Sequence, residues 1–388
     1  MRVLHVIPFV SEIFGGPSRA IFEMCRSQNE EGIISEIATT TCEWEPDFGK
    51  YVNQSAEVHG VQTHFFKGSL GKYRYSPMLK GWLKKNSRSY GLIHIHSLFN
   101  YPTLCASRAA LRYRIPYIVR TQGILYGWCL ENVSAYRKKF YLGLFEKKTL
   151  NKASLIHFTT AHEKERCYFP ELKERSYVLP LGIEKKAQSL SFSEEDLLRK
   201  CPDLKGKKIL LYLARLHKIK GLDLLLPAIA GCLKERSNWV FVIAGSGDPV
   251  YVRSLKKTIQ SLRLERRVFM IGHVSGRDKE ALLRYSSAFV LSSYSENFGV
   301  SIVEAMQAGL AVALSDQIAI AREAQEHGAG LVFSLKKEEI RLAVEKIMDD
   351  EDLRKRLSVA GKRFVGEQYN WKKITAEQIR IYQRIIGR

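Results

Sequence analysis

The chain is short of acid where it is rich in base. Its 388 residues carry 61 Lys and Arg against 40 Asp and Glu, a formal charge of +21. Between Lys67 and Lys152 the deficit is greatest, with about 17 cations against two acids, Glu131 and Glu146. The chain lacks any apolar run long enough to span a bilayer, and no apolar leader precedes the strand-like Arg2–Phe9. A cytoplasmic protein is therefore expected, in solution or peripheral on the inner face of the membrane. Seven cysteines (Cys25, Cys42, Cys105, Cys129, Cys167, Cys201, Cys232) are scattered without close pairs, which excludes a zinc ribbon or redox dithiol and predicts reduced thiols. No zinc-finger spacing, helix-turn-helix signature or aromatic single-strand platform accompanies the positive charge, so no nucleic acid is expected as a partner. Nor does Val3–Ser18 hold a G-x-G-x-x-G turn, which argues against a nucleotide-sugar epimerase or dehydrogenase.

What is present is a regular alternation. The length exceeds what one core usually organises, and 45% hydrophobic with 26% charged residues suits two globular domains. Strand-like runs at Val3–Pro8, Ile34–Thr40, Gln62–Phe66, Leu92–His96, Tyr117–Thr121, Ser154–Thr159 and Tyr177–Leu179 alternate with helical stretches. Lys208–Ala214, Trp239–Ala244, Val268–Ile271, Ala288–Ser292, Ala311–Leu314 and Gly330–Phe333 repeat the pattern. The class is α/β: two Rossmann-like, doubly wound parallel-sheet domains, residues 1–183 and 184–370, joined near Gly182–Pro202 where the composition turns polar. The last stretch, 371–388, is amphipathic at helical spacing and can cross back to the first domain. Ligands of such sheets bind beyond the carboxyl ends of strands, so a cleft between facing domains is expected, with the motifs just after strands.

The strongest motif is Ser292–Ala305, in which Glu296 and Glu304 stand eight apart across a loop that follows a strand and opens a helix. A helix N-terminus offers free N–H groups and a positive dipole to a pyrophosphate or polar sugar, and Gly299 permits close approach. Glu304, further into the helix, can accept both hydroxyls of a ribose. The competing reading makes Ser301-x-x-Glu304 a capping box, which explains neither Glu296 nor Asn297-Phe298-Gly299. The second motif runs from Arg215 to Gly221 after another strand. There Arg215 and Lys220 can converge on one diphosphate and stabilise it as a leaving group without a metal. In the first half, Gly15 and Gly16 permit approach to a phosphate, and Pro17 suits a first helical turn. His94 and His96 fall on one side of a strand; with no third ligand nearby, a metal site is not expected.

These motifs resemble those of glycosyltransferase family GT4, whose fold is the two-domain GT-B. Glu296 and Glu304 match its E-x7-E motif, Arg215 and Lys220 its R-x4-K pair, and the likeness runs from the Gly-Gly loop to the C-terminal helix. The resemblance implies a retaining, metal-independent hexosyltransferase with no cofactor beyond its nucleotide-sugar substrate. It implies Glu304 on the donor ribose, Glu296 with the amides of Asn297, Phe298 and Gly299 on the sugar, Val300 among the donor-binding residues, and Arg215 with Lys220 on the diphosphate. Gly15, Gly16 and Gly245 would lie near the donor, and His273 and Val274 near its nucleobase. His96, Arg120, Gln122 and Glu163 become candidate cleft or acceptor residues; Glu163 resembles the family's acid at the domain junction, the alternative being a helix N-terminal charge. One departure stands out: many members carry histidine where Gln122 stands, and glutamine can hydrogen-bond but not serve as a base. Family frequency favours a UDP-sugar, glucose-like, as donor. A saccharide or lipid-linked saccharide is the expected acceptor, in surface polysaccharide assembly.

The basic region adds a partner. Tyr73–Tyr90 mixes Lys80, Lys84, Lys85 and Arg88 with Met78, Leu79, Trp82 and Leu83, the mixture of a helix lying on a bilayer interface, so residues 67–152 are expected to touch anionic membrane. A solvated basic face is the plainer alternative. The alternative function is a basic nucleic-acid- or membrane-binding protein on an inactive GT-B scaffold, against which the intact Arg215, Lys220, Glu296 and Glu304 argue.

Overall fold

A computed structural model describes residues 1–11, 13, 15–126, 140–184, 195, 198–199 and 201–387. Cys129, Glu131 and most of the expected join at Gly182–Pro202 lie outside them. The chain divides into two compact units: Met1–Glu184 with Asn370–Arg388, and Lys185–Tyr369.

Among its described residues the first unit holds eight strands: β1 (Arg2–Ile7), β2 (Ile34–Thr41), β3 (Ser55–Val58), β4 (Val61–Lys67), β5 (Leu92–His96), β6 (Tyr117–Arg120), β7 (Leu155–Phe158) and β8 (Ser176–Val178). They lie in the order β3-β4-β2-β1-β5-β6-β7-β8. All pairs are parallel except β3 with β4, an antiparallel hairpin absent from the sequence reading. Its turn, His59-Gly60, has both residues at positive φ, which matches the twist of a two-residue hairpin. Alternation along the strands splits two cores. Leu4, Ile93, Ile95 and Val119 pack with Leu79, Leu83, Ala106 and Ala110, and Val3, Leu92 and Ile118 pack with Tyr382 on the opposite face.

That second face is covered by two helices, Gly16–Glu30 and the chain's last, Trp371–Ile386. Asn370 caps the latter by accepting from the amides of Lys372 and Lys373. The two helices are joined by polar contacts: Ser27 with Thr375 (2.7 Å), Gln28 with Gln378 (2.7 Å), and the Trp371 indole donating to Glu23 (2.9 Å). Beneath that indole runs the chain leaving the sheet, where Ile183 bridges to Asn370.

The second unit is a six-stranded parallel sheet of β9 (Lys208–Leu213), β10 (Trp239–Ala244), β11 (Val268–Gly272), β12 (Ala288–Leu291), β13 (Ala311–Ser315) and β14 (Leu331–Phe333). The order is β11-β10-β9-β12-β13-β14. Continuous apolar runs such as WVFVIA suit strands buried on both faces. The direction of winding reverses between β9 and β12, and in the first unit between β1 and β5; a ligand site belongs beyond the carboxyl ends at such a reversal.

A side chain at Gly182 would meet the Trp371 ring at 2.3 Å. Gly182→Ala is therefore expected to destabilise the first unit by about 1–3 kcal/mol, read as a lower urea midpoint by tryptophan fluorescence. An unchanged midpoint would show that this contact is slack.

Candidate functional site

In the second unit both motifs emerge at the winding reversal, and close packing ties them together. Lys218–Lys220 form one 3-10 turn after β9, ended by Gly221 at φ 73°. A Cβ on Gly221 would stand 1.9 Å from the Ser292 carbonyl at the end of β12, so only glycine permits the contact. The Ser292 hydroxyl donates to the Gly221 carbonyl (3.0 Å), and the Tyr294 amide to that of Ile219 (2.8 Å). This stitching brings the Lys220 ammonium onto the Glu296 carboxylate, an ion pair with both side chains largely buried. The backbone of Glu296 is held in turn by the Ala319 amide (2.9 Å).

Gly299, at φ 75°, is the N-cap of the helix Val300–Ala308, and no side chain caps it. The capping-box alternative thus fails, because Ser301 lies inside the helix. Glu304 instead pairs with Lys279 at 2.5 Å, the carboxylate side chain 6% exposed. Lys279 sits on the helix Gly276–Tyr285, just past the His273-Val274 loop, and sequence reasoning missed it. Its signal was faint: a lysine among charged residues on a surface-like helix. Phe298 turns its ring into the core against Tyr369 (5.1 Å), leaving only backbone for a ligand. Asn297 and Val300 are half-buried, His273 is exposed and Val274 buried. The Gly245 amide donates to the Gly272 carbonyl (2.7 Å), joining the loops after β10 and β11. Arg215 is exposed, with no ion pair among the described residues. One strand-end surface therefore offers two carboxylates, each with its own lysine, an open guanidinium and an uncapped helix N-terminus. That set suits a ligand that is both anionic and rich in hydroxyls.

In the first unit Gly15, at φ 99°, begins the helix Gly16–Glu30 without a side-chain cap. Gln122 is half-buried at φ 52°. Its loop is fixed by Glu163, whose buried carboxylate accepts from the Thr121 hydroxyl (2.6 Å), the Thr159 amide (2.7 Å) and the Gly123 amide. His96 and Arg120, expected as cleft residues, are buried. Glu146, on a π-type turn (Leu142–Glu146), is also buried. It accepts from the Phe99 amide (2.6 Å) through one oxygen, while the other has no partner among the described residues. Burial lifts its carboxyl to about 7 against that hydrogen bond.

The absence of a third histidine ligand does not hold: His5, His94 and His96 place ring nitrogens within 4.8 Å of one another. Hydrogen bonds account for most of those nitrogens. His157 Nε2–H donates to the Leu179 carbonyl (2.8 Å), so its Nδ1 accepts from His94 Nε2–H (3.3 Å), and His94 Nδ1 accepts from the Tyr382 hydroxyl (2.6 Å). His5 Nε2–H donates to Gln28 (2.9 Å), so its Nδ1 accepts from His96 Nε2–H (3.0 Å). Burial above all holds these imidazoles neutral, bringing His5 down to about 4 and lowering His94, His96 and His157, with Arg120 adding to each. The rings of His94 and His96 stack at 4.4 Å rather than converge. A cation among them would face the buried Arg120, whose guanidinium burial brings down to about 10.

The basic helix also differs from expectation. Within Pro77–Asn86, Leu79 and Leu83 are core residues, and Trp82 packs on His64 (4.5 Å) and Phe66 (5.7 Å). Its apolar stripe faces the protein and not a bilayer; Met78 alone of the four stays exposed. The cations do point outward: Lys84, Lys85, Arg88 and Arg112 surround Tyr113, with Arg88 over its ring at 4.9 Å. Among the described residues no helix is long and apolar enough to cross a membrane.

Two family models match, "Glycosyl transferase 4-like domain" over residues 15–180 and "Glycosyl transferases group 1" over 194–364. A GDP-mannose:cellobiosyl-diphosphopolyprenol alpha-mannosyltransferase of Xanthomonas oryzae pv. oryzae is 30% identical, covering 100% of this chain and 98% of the relative. A phosphatidyl-myo-inositol mannosyltransferase of Mycobacterium leprae is 28% identical, covering 99% and 97%. Among solved structures, Alr3699/HepE of Anabaena with UDP and glucose superposes with a TM-score of 0.78 at 19% identity, over 99% of this chain and 100% of that one.

Two pH effects of opposite sign follow. The four imidazoles resist protonation in the folded state, so the first unit should lose stability as pH falls below about 6.5, where the unfolded chain takes up protons. A flat unfolding midpoint from pH 7 to 5 would contradict the neutral layer. Glu146, with its carboxyl raised, destabilises as pH rises from its ordinary range through 7. Glu146→Gln keeps an acceptor for Phe99 and cannot ionise, so it should stabilise the first unit above pH 7, by up to roughly 3 kcal/mol, and leave it unchanged near pH 4. Equal effects at both pH values would assign the change to packing.

Proposed function

The chain belongs to the GT4-type glycosyltransferases of the GT-B fold, and from that premise we propose that it is a retaining, metal-independent hexosyltransferase whose donor binds the second unit. The observation that carries this reading is the pairing of Lys220 with Glu296 and of Lys279 with Glu304 beside an open Arg215. A nucleoside diphosphate sugar satisfies all of them at once. Glu304 takes the ribose hydroxyls, Glu296 and the uncapped amides after Gly299 take the sugar, and Arg215 with Lys220 take the diphosphate. The bond between the anomeric carbon and the diphosphate oxygen breaks while the acceptor oxygen bonds from the same face, and the acceptor proton passes to the departing diphosphate. The two cations stabilise the charge that develops there, the task a divalent ion performs elsewhere, and no protein nucleophile takes part.

Both relatives are named for mannosyl transfer and the Xanthomonas one for GDP-mannose, which favours GDP-mannose over the UDP-glucose-like donor expected from family frequency; the Anabaena likeness, at 19% identity, supports the fold alone. Both relatives are named for lipid-anchored acceptors, so we assign this chain a lipid-linked saccharide or related lipid acceptor in surface polysaccharide assembly. Peripheral attachment to anionic membrane rests on charge, through the cations around Tyr113.

Calorimetric titration of GDP, UDP and ADP, with GDP-mannose and UDP-glucose, in metal-free buffer tests the donor site. One nucleotide should bind selectively, and Glu304→Ala should weaken it by roughly 10- to 100-fold, the loss of a charged hydrogen bond. Lys220→Ala should lower kcat by roughly 100-fold or more. No nucleotide binding, or binding indifferent to Glu304, points to the inactive scaffold; a covalent glycosyl adduct on Glu296 overturns the mechanism.

A further inference from the structure

The carboxyl-end rim of the first unit carries a second feature that the donor chemistry does not use. Six aromatic rings form a continuous chain across three segments. Tyr75 packs on Tyr101 (4.7 Å), Tyr101 on Tyr73 (6.0 Å), Tyr73 on Tyr141 (5.9 Å), and Tyr141 on Phe145 (4.9 Å) and Phe99 (6.0 Å). The hydroxyls of Tyr73 and Tyr141 lie 3.4 Å apart, and Glu146 fixes the Phe99 backbone from below, so the ridge is braced from beneath. The segments that carry these rings, or adjoin them in sequence, also hold apolar side chains in water: Leu70 is 71% exposed, Phe140 70%, Met78 57% and Leu144 55%. Single exposed hydrophobics are ordinary, but several gathered on one braced rim mark an interaction surface. The surroundings are cationic. Lys80, Arg108, Lys147 and Lys148 are exposed, Arg108 lies over the Phe145 ring (5.5 Å), and no carboxylate between residues 68 and 148 is exposed among the described residues.

We propose that this rim, formed by Ser69–Met78, Phe99–Arg108 and Phe140–Lys148, holds the lipid end of the acceptor, the first isoprenoid or acyl groups on Leu70, Leu144 and the ridge and the adjoining phosphate on the cations. A saccharide would call for hydroxyls and amides between the rings, whereas the exposed groups here are aliphatic. A protein partner would leave the uniform positive charge unmatched unless it were acidic, while a phosphate-linked hydrocarbon matches both properties. The inference rests on the lipid-linked acceptor proposed above.

Farnesyl diphosphate and inorganic pyrophosphate, titrated into the full chain, isolate the chain-dependent part of binding, since the donor site's cations meet the same diphosphate in both. The wild type should bind farnesyl diphosphate about tenfold more tightly. The surface double variant Leu70→Ser/Leu144→Ser should lose most of that difference with pyrophosphate affinity and circular dichroism unchanged. If the variant keeps the full difference, the lipid-linked acceptor stands and this surface is wrong, also where the variant has lost binding to phosphatidylglycerol vesicles or self-association instead. If the wild type binds both ligands equally, the lipid-linked acceptor falls with the proposal; the donor site is judged separately by the effect of Glu304→Ala on nucleotide binding.

Discussion

The contact between Gly221 and the Ser292 carbonyl is the constraint on which the second unit's chemistry depends. Parallel winding delivers β9 and β12 side by side, but side-by-side strands guarantee only that their following loops start near each other. What sets the loops in register is that one residue without a side chain lets the turn carrying Lys220 close onto the strand end that launches Glu296. Everything downstream follows in sequence. The Tyr294 amide is spent on Ile219, Glu296 is turned to Lys220, and Gly299 enters its helix from a left-handed conformation that leaves the first amides uncapped. Any side chain at 221 would push the two motifs apart, and the loss would be felt at Glu296 before it was felt in the core.

The first unit is organised by a different requirement, the burial of imidazoles. Four histidines and an arginine on β1, β5, β6 and β7 face two helices, and neutral rings can stay there only if each nitrogen finds a partner. The last helix of the chain supplies part of that set: Tyr382 donates to His94, and Gln378 accepts from the Gln28 amide that also reaches Tyr382. The return of residues 371–387 to the first unit is therefore a matter of hydrogen-bond satisfaction as well as of apolar packing with Val3, Leu92 and Ile118. His96 Nδ1 remains without a partner among the described residues, at the end of the layer nearest the strand tips.

Most of this organisation was legible in the sequence because it is local. Strand and helix alternation, the two glutamates eight apart and the Arg215–Gly221 turn are read from neighbours along the chain, and the first unit's strands fall where the β-rich runs stood, except for β3. That strand is four residues, SAEV, with a glutamate, too short and polar to signal by pattern; only the His-Gly turn after it offered a hint. What escaped depends on distance in sequence. His5 meets His96 across 91 residues, and Lys279 meets Glu304 from another helix, so neither pair has a spacing to notice. The basic helix failed for a related reason. Periodicity places Leu79, Leu83 and Trp82 on one face but cannot say whether that face looks at lipid or at the core of its own unit, and here His64, Phe66 and Tyr90 had already taken it.

The two units also handle charge in opposite ways, and on the proposed function the difference has a consequence for selectivity. In the second unit Lys220 and Lys279 are each held by a carboxylate, so a bare phosphate meets only Arg215 freely and gains either lysine only by displacing Glu296 or Glu304, which is costly where both groups of each pair are largely buried. A sugar nucleotide brings hydroxyls to the same carboxylates as its diphosphate reaches the cations, so every charge keeps a partner throughout. Paired charges thus favour a ligand that carries hydroxyls with its phosphates over the bare phosphate that a site of free lysines would bind indifferently. Along the first unit's basic stretch such pairs stand only at its start among the described residues, Lys67 with Glu43 and Arg74 with Glu45; the one described acid within it is buried and occupied with Phe99. The stretch's other exposed cations are open to whatever anion arrives, and selectivity there must come from what the anion is attached to, which is the role the braced apolar rim can fill.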